Sequence, residues 1–214
     1  MQIDYFDRNQ YNIDGLVVKE AADVVDHLLT KESYAAIISP ANSFGFMDGG
    51  IEKVYMDTIP FVQDRVYNGI RAMGRRTSLG RMHLPVGCCL GFQIGEPEWS
   101  NYFISAPTMF LPGDVSQTQN AYWAMSAARY LAGAMLACRQ VHCSLMCTGY
   151  GKMSPAISIA QMQASANNPS QFTAEFAMVK GLGYYFCHPK QNELNNIKKN
   201  QPHDYMLQEF VEIE

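Results

Sequence analysis

SPANSFGFMDGGIE, residues 39–52, follows the apolar run Tyr-Ala-Ala-Ile-Ile at residues 34–38 and crowds Gly45, Gly49 and Gly50 around Asn42. Five apolar residues in unbroken succession predict a short central strand buried on both faces. Glycines at this density belong where a backbone bends sharply or approaches a ligand closely. Pro40 fixes one φ angle at the strand exit, and the glycines leave backbone N–H groups free to face an anion. Asn42 adds a donor and an acceptor suited to a sugar diol. The stretch therefore reads as a ligand loop at the end of a sheet strand.

Downstream, residues 51–72 have helical spacing broken at Pro60, with Ile51, Val54 and Tyr55 on one face and Val62, Val66, Tyr67 and Ile70 on the next. A helix beginning at Gly50 aims its N-terminus into the Asn42 loop, the geometry that binds phosphate. Upstream, residues 23–29 predict a short helix and residues 16–18 a short strand. The first eleven residues predict an edge strand or arm.

Beyond Arg81, residues 86–93 and 102–106 are strand candidates separated by a Gly95-Glu96-Pro97 turn. Residues 118–140 form the clearest helix, with Ala121, Met125, Ala128, Leu131, Met135 and Cys138 at helical spacing. Residues 141–147 predict the last strand and 156–166 a following helix. From Asn167 the composition turns polar, and residues 191–214 are expected to form a polar C-terminal extension, with a short element at 205–213. Strands alternating with helices predict an α/β fold, a three-layer α/β/α sandwich around a mixed, largely parallel sheet. One domain is expected over residues 1–190, with its core at 17–166.

A length of 214 residues with 48% apolar and 17% charged residues fits an ordinary globular chain. A net charge of −4 and a pI near 5.7 argue against a broad basic surface for nucleic acid. The acids at positions 4 and 7 interrupt any signal-peptide core, and no stretch is apolar enough to span a membrane, so a cytoplasmic protein is expected. Six cysteines with no Cys-x-x-Cys spacing read as buried thiols rather than zinc ligands. Arg71, Arg75, Arg76 and Arg81 read as solvated loop charges.

The order Asn42, six residues, Gly49-Gly50-Ile51 and then acidic Glu52 resembles the ADP-ribose loop of macro domains. A hundred residues on, Cys147-Thr148-Gly149-Tyr150-Gly151-Lys152 resembles their second phosphate-gripping loop. Residues 103–118 occupy the place of the family's central strand and the loop leading into the next helix. Glu52 departs from the pattern: hydrolytic macro domains usually carry Asp there, so the carboxylate is kept and moved by one methylene.

The resemblance implies an ADP-ribose site and hydrolysis of ADP-ribose from a modified protein or related derivative. The alternatives it leaves are a non-catalytic reader and an ADP-ribose 1″-phosphate phosphatase. Ligand contacts are expected at Ala41, Asn42, Gly49, Gly50, Ile51, Thr148, Gly149, Tyr150 and Gly151. Asp23, with Glu20 as its rival, stands where the family contacts adenine. Asn42, Asp48 and Glu52 are the expected catalytic set, with Glu52 as the base that activates water and Asp48 as the alternative. For each acid the competing reading is a helix cap or first-turn carboxylate. No metal or cofactor is implied, and the expected partner is ADP-ribose or an ADP-ribosylated protein.

Overall fold

The computed structural model describes residues 2–5, 21–31, 33–76, 80–95, 101–165 and 171–199. The expected strand at 16–18, the rival Glu20 and the expected element at 205–213 lie outside the described residues. Those that are described form a mixed α/β fold on a seven-stranded sheet of order β1-β7-β2-β6-β5-β9-β8.

The strand predicted at 34–38 is β2 (Ala35–Ser39), buried along its whole length. Its side chains alternate between two apolar clusters. Ala35 and Ile37 join Val25 and Leu28 of α1 (Ala21–Thr30), Tyr55 of α2 (Gly50–Thr58) and Val66 and Ile70 of α3 (Val62–Met73). Ala36 and Ile38 join the alanine-rich α4 (Asn120–Ala134) and Met162 of α5 (Pro155–Ala164). Burial on both faces explains why the run carries no polar alternation.

Around β2 the sheet is parallel. β6 (Asn101–Ser105) pairs on one side, β7 (Gln140–Cys143) on the other, and β1 (Gln2–Tyr5) lies beyond β7. The other half is antiparallel, through β5 (Cys89–Ile94), β9 (Leu182–Pro189) and the edge strand β8 (Phe172–Val179). Two residue pairs between β3 (Arg75–Arg76) and β4 (Met82–His83) form a separate small ladder.

Pro60 separates α2 from α3, as its position in the helical pattern predicts, and Phe61 turns the chain with φ 57°. The strand expected at 141–147 ends at Cys143. Leu145, Met146 and Cys147 stay buried after the ladder has ended, so the apolar run outlasts the strand.

The region after residue 167 supplies two sheet strands, β8 and β9, joined at Lys180 and Gly181 with φ 51° and 79°. Consecutive left-handed residues match the twist of a tight hairpin. The expected C-terminal extension begins as a helix, α6 (Gln191–Lys199), and its Ile197 is 2% exposed in the α4-side cluster. That part of the chain is therefore built into the fold.

Candidate functional site

The parallel strands β7, β2 and β6 lie side by side and run in the same direction, so the loops leaving their C-terminal ends emerge together. This edge is where open α/β sheets place ligands. The loop after β2 is stitched to the loop after β6: Ala41 N–H reaches Ala106 O at 3.2 Å, Thr108 N–H reaches Ala41 O at 2.8 Å, and Ser43 N–H reaches Met109 O at 2.9 Å. Asn120, the first residue of α4, donates to Thr108 O at 2.8 Å and pins that loop from behind. The loop after β7 joins through Val115 N–H to Gly151 O at 3.0 Å.

These three loops and the start of α2 enclose a cleft of about 180 Å³. Among the expected site residues, Asn42, Asp48, Gly49, Gly50, Ile51, Glu52, Thr148, Gly149 and Tyr150 line it. Two glycine loops a hundred residues apart in sequence thus face one space. Pockets that enclose a whole drug-sized ligand run to roughly 300–1,000 Å³. This cleft is smaller than that range.

Three expected contacts are not on its wall. Asp23 is exposed on the first turn of α1. Ala41 is 1% exposed and spends its N–H and C=O on the neighbouring loop. Gly151 is buried behind the second loop, where a Cβ would lie 2.4 Å from Cys147 O. The requirement for glycine at 151 is steric.

Asn42 lies on the wall, but its amide is engaged within its own loop. Its Nδ2 donates to Phe46 O at 2.8 Å, and its Oδ1 accepts from Phe44 N–H at 3.1 Å and Phe46 N–H at 3.2 Å. An amide has two donors and two acceptor lone pairs, so one N–H remains for a ligand. Asn42 is the brace of this loop.

Gly49 precedes α2 in extended conformation, with no side chain capping the helix, and Gly50 takes φ 60°. The first-turn N–H groups of α2 carry the positive end of the helix dipole and have no intrahelical acceptor. Across the cleft the ring of Tyr150 stands over Gly49, where an added Cβ would sit 3.5 Å from its Cε2. Tyr150 is 67% exposed, a large aromatic that the core does not use. Lys152 and Asp114, 3.7 Å apart at the surface, bridge the second loop to the loop after β6.

Glu52 belongs to the first turn of α2 and accepts a hydrogen bond from Ser39 Oγ at 3.2 Å. Burial pushes its pKa from 4.5 up to about 8; the Ser39 hydrogen bond opposes the shift and the charge of Asp48 adds to it. A shift in this direction favours the protonated carboxyl near neutral pH. A raised pKa weighs against the expected role of Glu52 as the base and towards that of an acid. Cys147 also lines the cleft, but burial holds its thiol at about 12, so it offers no thiolate.

Pro40, at the strand exit, is on the wall too, and sequence reasoning did not single out Phe46, Thr108, Met109, Pro112, Ser144 and Leu145, which complete it. The paired prolines of the stretch Ala-Pro-Thr-Met-Phe-Leu-Pro at 106–112 were the available signal for the loop after β6. Among the described residues no group of three or more His, Cys, Asp or Glu side chains is gathered as metal ligands, and no helix is long and apolar enough to cross a membrane. No protein-family model matches the chain, and no curated protein matches it.

Proposed function

We propose that the cleft binds ADP-ribose and that the chain removes ADP-ribose from a modified protein or related derivative, as a macro-domain-like hydrolase. The observation that carries this reading is the convergence of both glycine loops, the uncapped start of α2 and the Glu52 carboxyl on one cleft. Helices on both faces of the sheet, in two separate apolar clusters, support the three-layer sandwich that the resemblance implies.

In this reading the diphosphate lies against the N–H groups of Gly50 and Ile51 and under Gly149. Tyr150 covers the distal ribose. Chemistry divides between the two acids, whose surroundings differ. Glu52 gives its proton to the leaving oxygen of the acceptor as the bond from the anomeric carbon breaks. Asp48, exposed on the same wall, takes a proton from the water whose oxygen forms the new bond. Free ADP-ribose and the unmodified acceptor result, with Asp48 protonated and Glu52 ionised until solvent resets them.

One observation favours a second reading, a reader without turnover. The Glu52 carboxyl is tied to Ser39, and a carboxyl held protonated is a poor base.

Release of ADP-ribose from an ADP-ribosylated acceptor separates the two readings. Hydrolysis predicts steady release by the wild type and a fall of about 10²-fold or more in Glu52→Gln, the scale of a lost general acid, with ADP-ribose binding retained. Binding without release at any pH would leave the reader.

A further inference from the structure

Of the polar side chains lining the cleft, Asn42, Thr108 and Thr148 bond within the loops, Glu52 accepts from Ser39, and Asp48 faces solvent. Ser144 differs. It is 5% exposed, lines the cleft, and its Oγ is buried with no hydrogen-bond partner among the described residues. A buried hydroxyl without a partner is costly, and persists in a fold where something else satisfies it.

Its place in the chain fixes its neighbourhood. Ile38 of β2 pairs with Cys143 of β7 at the end of their ladder, and the residues that follow are Ser144 on β7's side and Ser39, which bonds Glu52, on β2's. On the other side Ser39 pairs with Ser105. Three buried serines thus lie at the ends of adjacent strands, and of these Ser144 lines the cleft and has the unsatisfied hydroxyl.

We infer that the Ser144 hydroxyl is a specificity-determining contact to a hydroxyl of the distal ribose, the sugar that ADP-ribose has and ADP lacks. The inference rests on the proposed ADP-ribose site and extends it. An anion is served by the N–H groups at the start of α2. The Ser144 hydroxyl instead both donates and accepts, which matches a neutral sugar. Its position beside the Ser39–Glu52 pair places Ser144 at the reacting sugar and not at the adenosine end.

Calorimetric titration of the wild type and Ser144→Ala with ADP-ribose and with ADP tests this, alongside thermal melting of both free proteins. Loss of one buried hydrogen bond to the ligand predicts a rise of about tenfold in Kd for ADP-ribose. Affinity for ADP is unchanged. The free variant melts at the same temperature or higher, because an unsatisfied hydroxyl has been removed. Unchanged ADP-ribose affinity, or an equal loss for both ligands, overturns the inference. Wild-type protein with no affinity for ADP-ribose overturns the site itself and the inference with it, a result seen before any variant is compared.

Discussion

Ser39 Oγ donates to Glu52 Oε1 across 3.2 Å, joining the last residue of β2 to the first turn of α2. The bond closes the glycine loop at its two ends and sets a partly buried carboxyl at the cleft.

Stability should depend on pH through Glu52. Its folded pKa, about 8, is raised above the ordinary 4.5, so the folded protein binds the proton more tightly than the unfolded chain. That contribution is complete below about pH 4.5 and is lost as pH rises through about 8, by an amount on the order of a few kcal/mol. Glu52→Gln should flatten the difference. Denaturant titrations at pH 5.5 and 8.5 check this; a wild-type curve parallel to that of the variant contradicts it.

Turnover should carry the same group with the sign fixed by its role. An acid that must be protonated gives activity that falls as pH rises through about 8. A rate that climbs to a plateau above pH 8 would instead assign Glu52 as the base.

Asn42→Ala should cost both binding and stability. Three hydrogen bonds that shape residues 42–46 are lost, and the partly buried backbone groups of Phe44 and Phe46 lose their partner, a penalty of about 1–3 kcal/mol. Asn42→Asp keeps the acceptor, so its melting temperature should fall between those of the wild type and the alanine variant.

Tyr150→Ala should leave the melting temperature nearly unchanged, because the ring is 67% exposed. Binding of ADP-ribose should weaken about fivefold to tenfold, the scale of a lost aromatic stack. Gly151→Ala should do the reverse in part: its Cβ would sit 2.4 Å from Cys147 O, so the second loop must shift and stability falls with binding.

The sequence made the parallel half of the sheet legible because β2 is buried on both faces and each loop beside it is marked by glycine or proline. Helices α2 and α3 were equally plain, since Pro60 breaks one periodic pattern into two. The β8–β9 hairpin was not. Glu175, Phe176 and Met178 are exposed on the edge strand, so inward and outward positions do not separate by polarity, and the turn uses Lys180 where Asn or Asp would signal it. At the site, residue types located both loops. What they could not carry was the direction of each polar group: Asn42 turned inward on its loop, Asp23 exposed on α1 away from the cleft wall, and Glu52 tied to Ser39.

The most direct test is calorimetric titration of the wild-type chain with ADP-ribose, with ADP and AMP as controls. The account predicts saturable one-to-one binding of ADP-ribose, tighter than that of ADP and much tighter than that of AMP. Heats no different from buffer dilution for ADP-ribose would contradict it, and the two loops would then be turns that happen to share a cleft.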